Sequence, residues 1–497
     1  MKKILTARQM RECDYSTISA GTPSAVLMER AAMSVYKVLL ERFDPDYTLI
    51  VCGSGNNGGD GLLLAQIMHH NNYKCDIWYV GEGHTMSEET ERRYNEALDL
   101  GIRFVDVPDI DKYTVIVDAI FGTGLNSAPQ GLCEDAIVAM NSAPAPILAI
   151  DIPSGISSDT GKSIGESIRA DVTVTMEAYK RGHAIGDGID ASGLVICADL
   201  GIDTSVATDA DGIIPYAIDE ADLSLIPRRK RDSHKGDYGR VLVIAGSIGM
   251  SGAAYLCACA AYRTGAGIVE ILTVEENRTI LQGLLPEAII TTYSQNSLDV
   301  STVISAIERA NIIVMGPGIG TGTASKVIVK EVYENCTSPL IVDADALNIT
   351  ASENLSYPTD VPVIVTPHPG ELSRLTGRSV KALSEDSWNS AIEYARNNDI
   401  ICVSKFARTV ITDGENIFIN MSGGPSLSKG GSGDVLAGII AGMLCNGLSP
   451  IGAASIGAYV HGKSGDLAAD KFGDYSCLAR DIIDNISCIM KNAGGKE

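Results

Sequence analysis

The chain has 497 residues, of which 45% are hydrophobic and 20% charged, and its formal net charge is −23. This length predicts two domains, because folded domains usually contain roughly 100–200 residues, and the composition is typical of globular proteins. The acidic balance argues against nucleic acid or an anionic membrane as a partner, since both require a basic surface. Local backbone donors would therefore have to hold any phosphate-bearing ligand.

A helical stretch is predicted first, over residues 18–43, because apolar residues recur there at helical spacing. Short apolar runs follow, with helical segments between them. These runs show little alternation, which is typical of strands buried on both faces of a parallel sheet. We therefore predict an N-terminal Rossmann-like, doubly wound α/β domain. Its strands are predicted at 48–52, 75–80, 114–120, 147–151 and 172–176.

Residues 203–225 are weakly patterned and are predicted to contain the domain boundary, giving domains 1–215 and 226–497. A second series of alternating strands and helices follows, which predicts another α/β domain. Its strands are predicted at 240–245, 268–274, 311–315, 340–343, 363–366, 400–404 and 416–420. Its long helices are predicted at 253–264, 433–445 and 451–470.

The 12 cysteines are irregularly spaced and form no CxxC pair. The close pair Cys257 and Cys259 lies in an Ala-rich helical run, where both are expected to be small core residues. This usage is typical of the reducing cytoplasm. No signal peptide or membrane-spanning run is recognised, because charged residues between positions 8 and 14 interrupt the N-terminal segment. We expect a cytoplasmic homo-oligomer of undetermined size, without nucleic-acid or membrane partners.

Polar and glycine-rich loops follow three predicted strands of the first half. They are residues 56–61, residues 118–126 and residues 151–155. Taken singly, each has a simpler explanation: a glycine turn, a buried strand-end carboxylate at Asp118, or a turn residue at Asp151. Ligands bind beyond the carboxyl ends of parallel strands, and a glycine turn that opens a helix can bind an anion. Their joint occurrence therefore favours one ligand crevice.

The sequences NNGGDG at 56–61, VDAIFGTG at 117–124 and DIPSG at 151–155 resemble the NAD(P)H-hydrate epimerase family. The resemblance implies that Asp151 is the acid/base and that Asn57, Asp118 and Ser154 hold a potassium ion. Their amide, carboxylate and hydroxyl or carbonyl oxygens suit such a hard cation. The hydrate-binding residues that it implies are Asn56, Asn57, Gly58, Gly59, Asp60, Gly122, Thr123, Gly124, Leu125, Asn126, Ser127, Ala128 and Asp151.

The second half contains its own motifs: HKGDYGRVLVIAGS at 234–247, GPGIG at 316–320, DADALN at 343–348, TPHPGE at 366–371 and GGSGD at 430–434. A glycine-rich helix N-terminus can stabilise a migrating phosphoryl group, and Asp434 can accept a proton from the attacking hydroxyl. Simpler explanations exist for single residues. Asp434 could complement the helix dipole, and His368 could be only a rigid-loop residue.

Together these motifs resemble the ADP/ATP-dependent NAD(P)H-hydrate dehydratase family, which has a ribokinase-like α/β fold. The resemblance implies that Asp434 is the catalytic base. It also implies ADP or ATP as co-substrate, with magnesium. The implied hydrate contacts are Ala253, Gly318, His368 and Asp434. The implied nucleotide contacts are Lys405, Phe406, Ala407, Arg408, Thr409 and Gly433.

One residue departs from that family. Its nucleotide loop usually reads Lys-Gly, two variable residues and Thr, whereas Phe406 stands at the glycine position here. A positive φ would cost a phenylalanine about 1–2 kcal/mol. We therefore expect this loop to adopt a backbone geometry that Phe tolerates.

The whole chain thus resembles an epimerase fused to a dehydratase. The expected function is repair of hydrated NADH and NADPH. The R and S hydrates would be interconverted, and the S hydrate would be phosphorylated at its hydroxyl and then lose phosphate. Two alternatives stay open at this point: a ribokinase-type small-molecule kinase fused to a nucleotide-binding domain, and a first domain that acts only as a nucleotide sensor.

Overall fold

The computed structural model describes residues 1–81, 85–208 and 213–494. The chain divides into two compact units, Lys2–Ile214 and Pro215–Glu497, with Met1 assigned to the second. Part of the predicted boundary stretch 203–225, residues 209–212, lies outside the described residues. Residues 495–497, at the end of the predicted second domain, also lie outside them. Within the described ranges, no helix is both long and apolar enough to cross a membrane.

The first unit is built on a parallel sheet with the strand order β4-β3-β2-β5-β6-β7-β9, and β1 pairs with β8 separately. The strands are β1 Lys2–Leu5, β2 Tyr47–Cys52, β3 Lys74–Tyr79, β4 Arg103–Phe104, β5 Val115–Ala119, β6 Ile147–Ile150, β7 Val172–Met176, β8 Tyr179–Lys180 and β9 Leu194–Ala198. The helices are α1 Ala7–Ser19, α2 Ser24–Arg42, α3 Asn56–His70, α4 Glu88–Asp99, α5 Leu132–Ser142 and α6 Gly188–Ala191.

Apolar cores cover both faces of this sheet. In β2, Ile50 and Cys52 belong to one core cluster, whereas Leu49 and Val51 belong to another. Successive strand residues point to opposite faces, so both faces of the strand are buried. The predicted doubly wound α/β arrangement of the first half is therefore confirmed.

The single helix predicted over 18–43 is wrong. The structure has two helices, and the chain turns between them at Gly21, whose φ is +111°. Pro23 caps the start of α2, where its fixed φ and missing N–H are tolerated. The earlier helix α1 begins after Thr6, whose side chain and that of Gln9 form a reciprocal capping box.

The second unit contains a sheet with the order β13-β12-β11-β14-β15-β16-β17-β18-β19-β10. It is parallel from β13 to β17 and antiparallel across β17, β18 and β19. Its strands are β10 Tyr216–Ala217, β11 Arg240–Ile244, β12 Ile268–Val274, β13 Ile289–Tyr293, β14 Ile312–Met315, β15 Leu340–Val342, β16 Val363–Val365, β17 Ile401–Ser404, β18 Val410–Thr412 and β19 Ile417–Ile419.

Helices pack against this second sheet, and one large apolar core includes residues of α7, α15, α16 and α17. Cys257 and Cys259 lie in it, which confirms their expected place in the core. The helices are α7 Ser251–Thr264, α8 Arg278–Leu284, α9 Val300–Glu308, α10 Thr323–Asn335, α11 Ala344–Glu353, α12 Pro369–Thr376, α13 Val380–Glu385, α14 Ser387–Asn398, α15 Ser432–Cys445, α16 Pro450–Phe472 and α17 Ala479–Met490.

Several predicted strands end one residue too late. The strands β6, β15 and β16 stop before Asp151, Asp343 and Thr366, respectively. Asp151 has a φ of +68°, which a β-strand cannot accommodate. Each of these side chains therefore lies at the carboxyl end of a parallel strand, where open α/β sheets bind ligands.

Candidate active sites

A cavity of about 1000 Å³ lies at the carboxyl ends of the strands of the first unit. Of the residues predicted to hold a ligand there, eight line it: Asn56, Asn57, Asp60, Gly122, Thr123, Gly124, Leu125 and Asp151. The other five do not line it: Gly58, Gly59, Asn126, Ser127 and Ala128. A Cβ on Gly58 would overlap the carbonyl of Gly53, so this glycine allows α3 to approach the preceding loop closely.

Asp151 is held by Lys180, which no sequence motif indicates. Lys180 is 1% exposed, and its Nζ donates to Asp151 Oδ1 at 2.5 Å and to Thr175 Oγ1 at 2.8 Å. Burial alone would raise the pKa of Asp151, but the Lys180 ammonium outweighs it and holds that pKa below its usual value. Asp151 is therefore an ionised carboxylate at the cavity wall.

The backbone around Asp151 is also fixed. His183 is buried; its Nδ1 accepts a hydrogen bond from the Lys180 N–H at 3.1 Å. Its Nε2 lies 3.0 Å from the carbonyl oxygen of Asp151, to which it donates, because Nδ1 already serves as the acceptor. The left-handed conformation of Asp151 is thus maintained by several contacts, a common arrangement at functional sites.

Two further carboxyls line the same cavity. Asp60 is on α3, and Asp14 is on α1, outside every predicted motif. Burial, with Asp151 and Asp14 adding to it, raises the pKa of Asp60 well above its usual value. Burial also raises the pKa of Asp14 to about 6, against the opposing effect of Lys180. Asp151 therefore releases its proton more readily than a free aspartic acid, whereas Asp14 and Asp60 release theirs less readily.

The predicted potassium ligands lie close together. Asp118 accepts hydrogen bonds from Ser154 Oγ at 2.6 Å and from Ser154 N–H at 2.8 Å. The Asn57 side-chain amide lies against Gly122, where a Cβ would be 3.3 Å from Asn57 Oδ1. Asp118 is fully buried, and burial raises its pKa to about 6 despite the Ser154 hydrogen bonds.

This donor set fits a monovalent cation. It offers only oxygen ligands, with one carboxylate, and the buried Asp118 has no ion-pair partner within the described ranges. The Asn57 Nδ2 atom is buried without a hydrogen-bond partner, so the amide is not committed to a protein contact. No group of three or more His, Cys, Asp and Glu side chains in the described part of the chain could hold a metal ion.

The second unit has its own buried lysine–aspartate pair. Lys405 Nζ donates to Asp343 Oδ1 at 2.9 Å, and Thr366 Oγ1 donates to the same oxygen at 2.6 Å. Burial lowers the pKa of Lys405, but Asp343 and Glu371 outweigh it and raise that pKa above its usual value. Gly433 lies beside this pair, since a Cβ there would be 3.3 Å from Lys405 Nζ.

Asp434 lies in the first turn of α15, next to Gly433. Burial raises the pKa of Asp434 to about 7, and Asp343 adds to this effect while Lys405 opposes it. A carboxylate with this pKa can accept a proton near neutral pH, which suits a general base. The preceding Gly431 has a φ of +94°, so glycine is required where the chain turns into the helix.

His368 caps the start of α12. Its Nδ1 accepts from the N–H groups of Gly370 and Glu371, at 3.0 and 3.4 Å, and Glu371 Oε2 accepts from the His368 N–H at 2.8 Å. Burial lowers the pKa of His368, and Lys405 and Arg374 lower it further. His368 is therefore a neutral imidazole with its Nε2 proton available near Glu371 Oε1, 3.3 Å away.

The remaining predicted hydrate contacts of this unit also meet. A Cβ on Gly318, whose φ is +60°, would lie 3.0 Å from the Ala253 side chain. Two residues further along the same loop, the Gly320 N–H donates to Asp345 Oδ2 at 2.9 Å. The loops after β14 and β15 are thus tied together. These are the loops that carry the GPGIG and DADALN motifs.

The residues of the loop predicted to contact the nucleotide lie in different environments. Lys405 faces Asp343, whereas the buried Arg408 donates from Nη1 to the Met421 carbonyl at 2.7 Å. Ala407 is exposed, and Phe406 and Thr409 are half-buried. Phe406 is not among the positive-φ residues. Its backbone therefore carries no left-handed strain, as expected for this loop.

Two matched families cover most of the chain. Residues 24–182 match the family described as YjeF-related protein N-terminus, and residues 241–487 match the NAD(P)H-hydrate dehydratase family. The first match contains the loops around Asn57, Asp118 and Asp151. The second contains those around Asp343, His368, Lys405 and Asp434.

Curated relatives are similar over almost their whole length. The bifunctional NAD(P)H-hydrate repair enzyme Nnr of Moorella thermoacetica is 35% identical over 98% of this chain and 97% of its own. The enzyme of the same name from Escherichia coli is 35% identical over 93% of this chain and 89% of its own.

Solved structures are similar to the second unit. The ADP/ATP-dependent NAD(P)H-hydrate dehydratase of Bacillus subtilis, co-crystallised with ATP and Mg²⁺, is 32% identical with a TM-score of 0.51, and the match covers 57% of this chain and 99% of that one. A ribokinase-like superfamily protein of Enterococcus faecalis is 28% identical with a TM-score of 0.52, over 58% and 99% of the two chains. The expected ribokinase-like α/β fold is thereby confirmed.

Proposed function

This chain belongs to the family of bifunctional NAD(P)H-hydrate repair enzymes, and on that premise we propose how its residues divide the work. It is an enzyme that epimerises the hydrates of NADH and NADPH and dehydrates the S hydrate at the expense of a nucleotide. The similarity over both halves favours this function over a ribokinase-type small-molecule kinase. We propose that the unit Lys2–Ile214 is the epimerase and that the unit Pro215–Glu497 is the dehydratase.

In the epimerase, Asp151 would be the acid/base that faces the hydrated nicotinamide ring. The Lys180 contact at 2.5 Å supports this role, because it keeps a half-buried carboxylate ionised and in a fixed position. The N–H groups at the start of α3, in the loop 56–61, would hold the phosphates of the dinucleotide. Gly122, Thr123, Gly124 and Leu125 would line the rest of the hydrate site.

Potassium would be held by Asn57, Asp118 and Ser154. When bound, it would supply a positive charge that keeps the buried Asp118 carboxylate ionised and orders the loops after β5 and β6. The Asp118–Ser154 hydrogen bonds at 2.6 and 2.8 Å join these two loops even without it. Ordered loops keep the cavity wall in shape for the substrate.

In the dehydratase, Asp434 would accept the proton of the hydrate hydroxyl as that oxygen attacks the terminal phosphoryl group of ADP or ATP. Lys405, Gly433 and the N-terminus of α15 would stabilise the charge on the phosphoryl group in transit. Phosphate would then leave with the C–O electron pair, and loss of a ring proton would restore the double bond. His368, Gly318 and Ala253 would position the ring.

Nucleotide would bind along Lys405–Thr409 and Gly433. Magnesium would arrive with it, bound mainly by the phosphates, as is usual for this ion in phosphoryl transfer. The absence of a three-carboxylate or histidine cluster among the described residues supports this assignment. The Bacillus subtilis dehydratase was co-crystallised with ATP and Mg²⁺, which favours the same nucleotide–metal pair here.

The observation that carries this proposal is the presence of two separate buried lysine–aspartate pairs, Lys180–Asp151 and Lys405–Asp343, each at the strand ends of its own unit. The test is to incubate the full chain with mixed R and S hydrates and follow both by chromatography. Without nucleotide, we expect interconversion only. With ADP or ATP and Mg²⁺, we expect both to disappear as NAD(P)H and phosphate form. A stable phosphorylated product would instead indicate a kinase.

We also propose that the enzyme works as a homo-oligomer in a reducing compartment. The free cysteines, of which nine are buried, support such a compartment. Sedimentation of the purified chain tests the oligomeric state, and a monomer at micromolar concentration would contradict it.

A further inference from the structure

Helix α1 presents one acidic residue within an apolar stripe. Met10, Asp14 and Ile18 are spaced four residues apart, and all three line the cavity of the first unit. Positions at this spacing lie on one helix face, which here faces the substrate space. Placing a carboxyl group at the centre of such a face costs free energy unless it has a hydrogen-bond or charge partner, which a bound substrate could supply.

Asp14 has no hydrogen-bond or ion-pair partner in the described part of the chain. The charged groups around it come from several elements. Lys180 and Asp151 interact with it electrostatically from the strand ends, and Asp60 on α3 lines the same cavity. Arg11 on its own helix and, on α4, Glu88, Glu89 and Arg92 complete the charged lining.

The pKa values of Asp14 and Asp151 are therefore shifted in opposite directions in one cavity. Burial raises the pKa of Asp14 to about 6, whereas Lys180 holds that of Asp151 below its usual value. Two carboxyl groups whose environments shift their pKa values in opposite directions are a common acid–base arrangement in enzymes. Asp60 is less suited to exchange a proton, since its pKa is raised well above the usual value and it releases its proton less readily than Asp14.

We propose that Asp14 is the second acid–base residue of the epimerase and acts on the face of the hydrated ring opposite to Asp151. The inference rests on the epimerase function proposed for this unit. It follows from the substrate chemistry as well. The two hydrates differ only in the face that carries the hydroxyl, so proton-transfer groups on both faces would assist loss of water from one face and its addition to the other.

The reaction balances with these two groups. Asp14 donates its proton to the hydroxyl, the C–O bond breaks, and its electron pair leaves with water. The ring nitrogen lone pair forms a C=N bond, giving an iminium ion next to the Asp151 carboxylate. Water then attacks the other face, the C=N electrons return to nitrogen, and Asp151 takes the proton released by the water. Proton exchange with solvent resets both carboxyls, and no oxidant or reductant is needed.

The test compares Asp14→Asn with wild type in the full chain, using pure R hydrate without nucleotide. We expect kcat for epimerisation to fall at least about 100-fold, as for loss of a general acid, with KM changed less than about threefold. The descending alkaline limb of the wild-type pH profile should be absent from the variant. In H₂¹⁸O, incorporation of ¹⁸O into recovered hydrate should fall in parallel with kcat. Asp14→Glu should restore part of the rate.

Matched controls exclude a structural effect. Glu12→Gln changes an exposed acid on the same helix and should leave epimerisation unchanged. Nucleotide-dependent dehydration of pure S hydrate by the same Asp14→Asn preparation should stay at the wild-type rate. Near-normal epimerisation by Asp14→Asn, or a comparable kcat loss with the pH limb retained, would overturn the assignment of Asp14. An inactive wild type would instead overturn the epimerase function.

Discussion

Each of the two units pairs a lysine with an aspartate. The pKa of the proposed reacting carboxylate is nevertheless shifted in opposite directions in the two units. In the first unit, Lys180 contacts Asp151 itself at 2.5 Å, and the pKa of Asp151 lies below its usual value. In the second, Lys405 contacts Asp343 at 2.9 Å, and burial raises the pKa of the neighbouring Asp434 to about 7. The same kind of ion pair would thus serve two kinds of proton chemistry.

This difference matches the role that is proposed for each carboxylate. A hydroxyl that attacks a phosphoryl group must lose its proton, so a base with a pKa near neutrality is effective. In epimerisation, a cationic ring intermediate would form, and a permanently ionised carboxylate beside it lowers its energy. A lysine that binds the reacting aspartate lowers the pKa of that aspartate. A lysine that binds the neighbouring aspartate leaves the pKa of the reacting one raised by burial.

The largest expected effect is on Asp434. Asp434→Asn keeps the size of the side chain but cannot accept a proton, so dehydration should fall roughly 100- to 10,000-fold. Epimerisation by the same molecule should be unchanged. Both rates are measured on separated hydrates by chromatography, with the exposed Asp470→Asn as control. Near-normal dehydration by Asp434→Asn would remove this residue from the mechanism.

Lys180→Met tests the first pair. Removing the lysine leaves the Asp151 carboxylate without its ion-pair partner, and loss of one partner of a buried pair typically costs about 3–5 kcal/mol of stability. We expect the pKa of Asp151 to rise, so that epimerisation is lost at a higher pH on the acid side. Denaturant unfolding and pH–rate profiles measure both effects. The double variant Lys180→Met with Asp151→Asn should recover stability without recovering activity. If folded Lys180→Met shows the same acid limb in its pH–rate profile as wild type, Lys180 does not set the pKa of Asp151, and the comparison of the two units is contradicted.

The cation site gives a smaller effect. Replacing potassium with tetramethylammonium, or Asp118 with alanine, should lower epimerisation roughly 10- to 100-fold, as other losses around metal sites do. Dehydration is the internal reference, and exposed Asp111→Ala is the matched control. Equal epimerase rates in both salts would show that these oxygen atoms do not serve a cation.

Phe406→Gly should have the smallest effect. Because the backbone of Phe406 is not in the left-handed region, glycine relieves no strain there. We expect KM for ADP or ATP to change less than about threefold or to decrease. An increase of tenfold or more, measured with Phe472→Gly as an exposed control, would mean that the phenyl ring itself contacts the nucleotide.

The sequence predicted 12 of the 19 strands in the described ranges, including those that precede the site loops, because buried parallel strands and glycine-rich turns have strong local patterns. The strands β1, β4, β8, β9, β10, β13 and β18 were missed. It did not predict the lysines as partners. Lys180 is 29 residues from Asp151 and Lys405 is 62 from Asp343, and nothing in a local pattern specifies such contacts. The left-handed backbone of Asp151 is held by Lys180 and His183, which are also distant in sequence, so its strand was predicted one residue too long.

The place of Asp14 on α1 is partly indicated by the sequence pattern. Thr6 followed by Gln9 is a capping-box signature, and it would have placed the start of α1 correctly. The spacing of Met10, Asp14 and Ile18 would then have indicated an acid on an apolar face. That this face lines the cavity around Asp151 could be known only from the fold.

The most direct test of the opposite pKa shifts of Asp151 and Asp434 is the pH dependence of kcat for both activities, measured on one preparation of the full chain. A base is active when deprotonated, so dehydration should rise with pH through about 7, the raised pKa of Asp434. Epimerisation should persist on the acid side well below that pH, because the lowered pKa of Asp151 keeps its carboxylate ionised. A single ascending limb shared by both activities, or dehydration that is flat through neutrality, would contradict this account.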